Sequence, residues 1–482
     1  MTRTAPHHGP RPQAVLSPPP VPWTLGQLAM AQAVTPYRPV FLTVLAVTYC
    51  LVAIVPTRPW PSQIGGDMAA GGDSLDTLLM LGMLGLATVV LIERRHLALH
   101  LLARTWPLAL TLAWFLASMA WADFPTLTLK RTAFLIIGYL IVLGLASGAH
   151  TPGQIPRVLA ACFGGVILVN LVSVFVIPHL AVTDIGAAGM HGQKNIAGVV
   201  AMIGVVVLIL ALLRVRARTT GLVVLLALAV ALAFLVLTRS KTSLGLVAVF
   251  VAFVLPLAAG LSFGRALGLA LVLGAGLVVT LFLFISGLMG WGTPEMLEVL
   301  VGDPTFTSRT DIWAFVWDHI SRNPVLGTGY GSFWDVGADN DPLRDAHSWL
   351  ATVSLGIINQ AHNGYLDVLL QAGVPGLLGL LLVVGRSLWR TVALMIRCQT
   401  VPGDWTAHAL GFSLLSMLAV YNLMETALLS RVHMANQIFV LMVVLSERWS
   451  FAAAPVPHSG SRPATAAAPP PPRSAAHPSP GQ

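Results

Sequence analysis

Residues 303–335 read DPTFTSRTDIWAFVWDHISRNPVLGTGYGSFWD, and residues 361–384 read AHNGYLDVLLQAGVPGLLGLLLVV. With the connector between them they form the long polar segment of a chain that is otherwise very apolar. The second quotation turns from polar to apolar within a few residues. It then stays apolar for about 20 residues, the length that crosses a bilayer. His347 and His362 lie just before that run. A polar segment leading directly into a span is expected to be a solvent-facing part of a membrane protein, here the extracytoplasmic working face of a membrane enzyme.

Composition extends this reading to the whole chain. Of 482 residues, 56% are hydrophobic and 10% are charged, where a soluble protein usually carries roughly 25% charged residues. The charges cluster between long apolar runs, so the expected fold class is an all-α polytopic membrane protein with one large extracytoplasmic loop containing short helices. The net charge of +8 comes mostly from arginines flanking spans, and nucleic acid is not an expected partner. Cys50 and Cys162 fall inside apolar runs and Cys398 on a predicted cytoplasmic segment, so neither a disulfide framework nor a zinc site is expected. Residues 1–39 have no apolar core of the signal-peptide kind, and no cleavable leader is expected.

Residues 1–39 and 448–482 are expected to be disordered cytoplasmic tails, being rich in Pro, Ala and Ser and short of apolar surface to bury. Nine spans are expected within 40–290: 40–56, 75–92, 106–121, 132–148, 157–178, 196–213, 220–237, 244–262 and 266–290. The extracytoplasmic loop follows at 291–365. Three more spans, 366–385, 406–425 and 433–447, fill residues 366–447 and bring the total to twelve.

The arginines set the orientation. With the N-terminus inside, the cytoplasmic loops hold Arg94, Arg95, Arg104, Arg157, Arg214, Arg216, Arg218, Arg265, Arg386, Arg390 and Arg397, and Arg448 follows the last span. The acidic residues divide the same way: Glu93, Asp404 and Glu447 fall inside, and the other 16 of 19 fall outside. The spans carry almost no ionisable residue near mid-membrane, which argues against an ion-coupled transporter.

Within this frame the outer cations stand out. All three lysines of the chain occupy short outer loops: Lys130 in LTLKRT, Lys194 in HGQKNIAG and Lys241 in LTRSKTSLG, two of them with Arg131 or Arg239 nearby. Cations at an interface commonly serve only as headgroup anchors. Three outer loops each holding one also suit a multiply charged anion such as a pyrophosphate. Ser308 and Asp311 are spaced as a capping box, and Ile312, Phe315, Val316 and Ile320 follow at helical spacing. This predicts a short helix on the membrane surface, anchored by Trp313 and Trp317. Arg309 at its start opposes the helix dipole, which marks it either for function or for a salt bridge. The run Gly327–Gly331 (GTGYG) lacks the following Lys-Ser/Thr of a phosphate loop and is read as close turn packing. Asn363 suits an N-cap for the tenth span, Gly373 and Gly376 around Pro375 permit a bend or close helix approach, and His362, a residue type that at an interface is usually just a polar anchor, stands where a base would meet a lipid phosphate. His347 is left unassigned. No HExxH, GxSxG, paired-carboxylate or metal-ligand pattern is present, and neither metal nor cofactor is expected.

His362-Asn363, nine residues, Gly373, two residues, Gly376 resembles the His-Asn/Ser/Gln-x9-Gly-x-x-Gly signature of the O-antigen ligase family. SRTDIW…NPVLGTGYGSFW is similar to the exopolysaccharide polymerase branch of the same superfamily, and HGQKN and TRSKTSLG resemble its recurring loop motifs. The resemblance covers roughly residues 190–380. It implies a multi-pass glycosyltransferase of the bacterial inner membrane, with its large loop periplasmic. Such an enzyme moves a glycan from undecaprenyl pyrophosphate to a sugar hydroxyl without metal and with inversion. His362 would be the catalytic base or acceptor-orienting group. Arg239, Lys241, Arg309, Lys194 and Arg131 would hold the pyrophosphate, and Asn363, Asn195, Asp311, Gly373 and Gly376 would support the site. The expected partners are the lipid-linked donor, a glycan acceptor, membrane lipids and a chain-length regulator. A polymerase would extend another lipid-linked repeat, and a ligase would load lipid A–core. A lipid-linked oligosaccharide flippase is the alternative from another class, and it would need charged groups through the spans.

Overall fold

In a computed structural model the described residues are 24–56, 59, 74–264, 266, 268, 270, 274, 309–346, 349–353, 358–401, 403–430 and 434–452. Most of the expected ninth span, Ser308, His347 and most of both tails lie outside them. The protein is all-helical apart from one two-residue pairing, Val182–Thr183 with Gly186–Ala187, among the described residues.

Among the described residues seven helices are long and apolar enough to cross a bilayer: Ser74–Glu93, Pro125–Gly148, Gln154–Val176, Lys194–Arg214, Arg218–Thr238, Lys241–Phe263 and Gly364–Arg397. Two broken pairs raise the number among the described residues to nine: Leu25–Val34 with Pro39–Ile54, bent by 94°, and Arg95–Arg104 with Trp106–Ala120, bent by 78°. The expected twelve are therefore not reached among the described residues. Trp405–Tyr421 has only 17 residues where 406–425 was expected to span. Hydropathy counts apolar length and cannot see a break such as the one before Trp106-Pro107, where proline's missing N–H ends the preceding ladder.

Burial sorts the spans. Within Lys194–Arg214, 72% of the apolar window is buried inside the protein, against 22% for Ser74–Glu93, Arg218–Thr238 and Lys241–Phe263. An all-apolar helix surrounded by others is a core helix, so Lys194–Arg214 is central and the other three turn broad apolar faces outward.

Part of the expected N-terminal tail is helical. Thr24 and Gln27 form a capping box for Leu25–Val34, whose Ala29 and Ala33 are buried. Arg94 donates to Thr35 O at 2.9 Å, and Arg448 to Ala33 O at 2.9 Å. Two buried arginines thus satisfy carbonyls at the helix end that have no partner within the helix.

The three acids assigned to the cytoplasmic side all pair with arginines assigned there: Glu93 with Arg38 at 2.8 Å, Asp404 with Arg214 at 2.6 Å, and Glu447 with Arg104, Arg386 and Arg390. Glu425, assigned outside, pairs with Arg309.

The feature that positions the site is a break in Gly364–Arg397. Gly373 has φ 64° and ψ −169°, and a β-carbon there would come within 1.9 Å of Val325 O. Backbone groups freed in a membrane helix must find other partners, and the loop supplies them. Val374 N donates to Pro324 O at 3.0 Å, Thr328 N to Leu370 O at 3.0 Å, and Trp114 Nε1 to Ala372 O at 2.8 Å. Gly327, at φ 69°, brings the loop backbone against Gln371. The glycine run thus serves close packing.

The predicted amphipathic helix forms at Arg309–Arg322, but its apolar stripe does not lie on the membrane surface. Ile312, Val316 and Ile320 are buried with Phe333, Trp334 and Leu370 in a second, smaller core. Trp313 is not an anchor either: its Nε1 donates to Ala361 O at 3.0 Å. The polar loop supplies enough apolar side chains to cover the helix itself.

Candidate active site

Four segments distant in sequence meet at one carboxylate. Glu425, just beyond Trp405–Tyr421, has a side chain only 6% exposed. Its Oε2 lies 2.8 Å from His362 Nδ1. Its Oε1 accepts from Arg309 at 2.7 Å and from Asn195 Nδ2 at 3.2 Å. A second Arg309 nitrogen lies 3.7 Å from Met424 Sδ.

Each arm of this cluster is fixed by its backbone. His362 has φ 49°, a left-handed conformation that costs an L-residue roughly 1–2 kcal/mol. Asn363 follows as the N-cap, its side chain accepting from the N–H groups of Tyr365 at 3.1 Å and Leu366 at 3.2 Å. Asp367, 2% exposed, ties the arms together. It accepts from Ala361 N at 3.0 Å, from Trp334 Nε1 at 2.7 Å and from the Thr426 hydroxyl. One carboxylate therefore holds the residues adjoining both His362 and Glu425. Gly364 N donates to Asn422 O at 2.8 Å, joining the same two segments again.

Asn195 comes from the first turn of Lys194–Arg214, and the loop before it is anchored through His191. Asn170 accepts from Met190 N at 2.8 Å and lies 3.5 Å from His191 Nε2. Burial lowers the His191 pKa from 6.5 to about 4. The unfolded chain therefore takes up the proton first as pH falls, and stability drops between about pH 6.5 and 4 by about 3 kcal/mol. Denaturation of the detergent-solubilised protein at pH 7 and at pH 4.5 measures this. His191→Gln is expected to flatten the difference, and an unchanged pH dependence would exclude His191 as its source.

The sequence-selected cations fall into two groups. Lys194 adjoins Asn195, and its Nζ lies 3.5 Å from Ile185 O. Arg239 (φ 51°) and Lys241 are exposed and flank Ser240. That turn packs on the first turns of Lys194–Arg214: a β-carbon on Gly198 would come within 2.5 Å of Ser240 Cβ. These three cations therefore border the helix turn that carries Asn195. Arg131 stands apart. It is 4% exposed and donates to the carbonyls of Gly331, Trp334 at 2.7 Å and Asp335 at 2.8 Å, which makes it a clamp on the turn after the glycine run. Asp311 is also elsewhere, accepting from Trp349 Nε1 at 2.7 Å. Gly373 and Gly376 act through the helix break: a β-carbon on Gly376 would meet Ala372 Cβ at 2.4 Å.

Sequence reading passed over Glu425 and Asp367. Glu425 had a signal. It is the acid between Asp404 and Glu447, placed at the outer end of an expected span, where an ionisable group implies a partner. Asp367 looked like an ordinary first-turn acid.

Chemically, a carboxylate on Nδ1 fixes the imidazole tautomer and leaves Nε2 as the nitrogen that accepts a proton. The His362–Glu425 pair, with Arg309 on the same carboxylate, lies where a membrane helix meets a polar loop. Residues 226–381 match the family model described as O-antigen ligase, which supports the O-antigen ligase and polymerase superfamily for this chain without choosing a branch. That family implies a multi-pass, lipid-linked glycosyltransferase type of enzyme that takes a lipid-linked glycan and an acceptor. The matched segment contains His362, Arg309, Arg239 and Lys241, whereas Asn195 and Glu425 lie beyond it. No curated protein matches the chain.

Proposed function

We propose that the protein polymerises undecaprenyl-pyrophosphate-linked oligosaccharide repeat units at the periplasmic face of a bacterial inner membrane, by metal-independent inverting glycosyl transfer. The observation that carries this is the Glu425 carboxylate held between His362 Nδ1 at 2.8 Å and Arg309 at 2.7 Å. The acceptor hydroxyl oxygen attacks the anomeric carbon while its proton passes to His362 Nε2. The bond from that carbon to the pyrophosphate oxygen breaks, and the electron pair leaves with the pyrophosphate. Glu425 holds the imidazole and balances the imidazolium that forms. Pyrophosphate is already a good leaving group, so fixed positive charge is the main remaining requirement. Arg309, Lys194, Arg239 and Lys241 supply it. Arg131 is left out of that set because the 331–335 turn engages its guanidinium.

The polymerase reading rests on the likeness of SRTDIW…GTGYGSFW to that branch, and a ligase would use the same chemistry with lipid A–core as acceptor. Purified protein is reconstituted with a defined undecaprenyl-pyrophosphate oligosaccharide, with and without lipid A–core. Chain lengthening without any other acceptor is the expected result. Product formed only when lipid A–core is present would make the protein a ligase. No glycosyl transfer to either acceptor would sink both readings.

A further inference from the structure

A second polar cluster lies at the far end of Gly364–Arg397. From Gly364 to Arg386 the helix path is about 33 Å at 1.5 Å per residue, close to the thickness of a bilayer's hydrocarbon core. There Glu447, 5% exposed, accepts from Arg104 Nε at 3.0 Å and Arg390 Nε at 3.0 Å on one oxygen. Its other oxygen pairs with Arg386 at 3.2 Å. Three guanidinium groups share one carboxylate, which leaves two positive charges over.

Nothing in the family chemistry at His362 accounts for this surplus, which sits on the other side of the membrane. Three guanidinium groups held together around one carboxylate repel one another, and a further anion relieves that repulsion. The buried Nε of Arg386 has no hydrogen-bond partner among the described residues. Arg104, Arg386 and Arg390 keep 26–36% of their side chains exposed, so their outer edges remain reachable. Planar, forked donors of this kind match phosphate oxygens.

Two further observations identify the carrier of that phosphate. Leu108 and Val383 lie beside Arg104 and Arg386 around a gap of about water size, so a headgroup would sit on the exposed guanidinium edges and its apolar chains would run outside, along the helix faces. Trp106 and Trp389, 47% and 73% exposed, flank the cluster on the helices that carry Leu108 and Val383. Exposed tryptophans of this kind mark the headgroup level of a membrane. We propose that Arg104, Arg386 and Arg390 bind the phosphodiester headgroup of an anionic phospholipid in the leaflet opposite His362. A lipid bound there bridges the helices that end at Arg104 and Arg397, and Glu447 joins Met434–Ala452 to them.

The test uses the full chain, purified in detergent, stripped of lipid and titrated with phosphatidylglycerol or phosphatidylcholine, with native mass spectrometry as the readout. The wild type is expected to retain phosphatidylglycerol in preference to phosphatidylcholine. Arg386→Gln/Arg390→Gln is expected to lose about 25-fold in phosphatidylglycerol affinity, roughly fivefold per cation removed. Equal retention of the two lipids by the wild type, or an unchanged variant, overturns the proposal. Inorganic phosphate at millimolar concentration is the separating arm. If it raises the melting temperature as much as phosphatidylglycerol does, the site takes free phosphate and the lipid assignment fails. Should the double variant not fold, two measurements remain: Arg390→Lys, which keeps charge but loses the fork, and the salt dependence of wild-type retention. Retention insensitive to both overturns the proposal, and retention weakened by both supports it.

Discussion

His362→Ala is expected to lower glycosyl transfer in reconstituted vesicles by about 10²- to 10⁴-fold, the usual contribution of a positioned general base. Unused lipid-linked repeat units then accumulate. The side chain is 25% exposed, and its Nδ1 lies 2.8 Å from Glu425 and 3.4 Å from the Gln360 amide, so its removal takes away little packing. The backbone is the complication. At φ 49° the position is left-handed, and alanine tolerates that poorly whereas asparagine visits it readily. His362→Asn is therefore the cleaner variant, since it retains the turn and a hydrogen-bonding side chain but accepts no proton at neutral pH. Both variants are expected to lose activity to the same degree while binding donor as the wild type does. Product at wild-type rate from His362→Asn would show that the imidazole is not the base.

The second large effect belongs to Glu425. Glu425→Ala leaves Arg309, whose side chain is 15% exposed, without its carboxylate, and breaking a buried pair in this way costs about 3 kcal/mol or more. It also releases the His362 ring and the Asn195 amide. Glu425→Gln separates the two losses. It keeps an oxygen for Arg309 and Asn195 and much of the shape, but it removes the charge that balances an imidazolium. The expected result for Glu425→Gln is near-normal stability, little change in the donor concentration needed, and a fall in kcat of about 10²-fold or more, by analogy with loss of the orienting acid in a catalytic triad. Arg309→Gln is expected to act mainly on the donor requirement. Because the two side chains touch, the double variant must deviate from additivity. Strict additivity, or a Glu425→Gln enzyme with normal kcat, would remove Glu425 from the mechanism and leave it a structural ion pair.

The sequence made some parts of this molecule easy to read. Apolar length announced the helices, and Glu93, Asp404 and Glu447 each pair with arginines expected on the same side, which groups those helix ends together. The spacing of His362, Asn363, Gly373 and Gly376 marked the cap and the break. What remained hidden depends on contacts between segments far apart in the chain. Arg131 had the composition of an anion ligand, and only the fold shows its guanidinium turned onto the 331–335 carbonyls. Glu425 meets Arg309 116 residues away in sequence, and no local pattern announces such a pair. The amphipathic stripe of Arg309–Arg322 was legible, but which surface it covers was not: lipid and a small protein core ask for the same residues.

The Gly373 break makes the loop and the membrane helix a single inheritable part. Residues 324–328 complete the hydrogen bonding of that helix, Trp114 reaches the same opening, and Asp367 ties its first turn to Ala361 and Thr426. Domain exchange between relatives that cuts at the apparent border of loop and span would sever the unit at its most interdependent point. Chimeras meant to transfer acceptor choice are better joined before Arg309 and after Gly376, with the partner carboxylate at position 425 carried along.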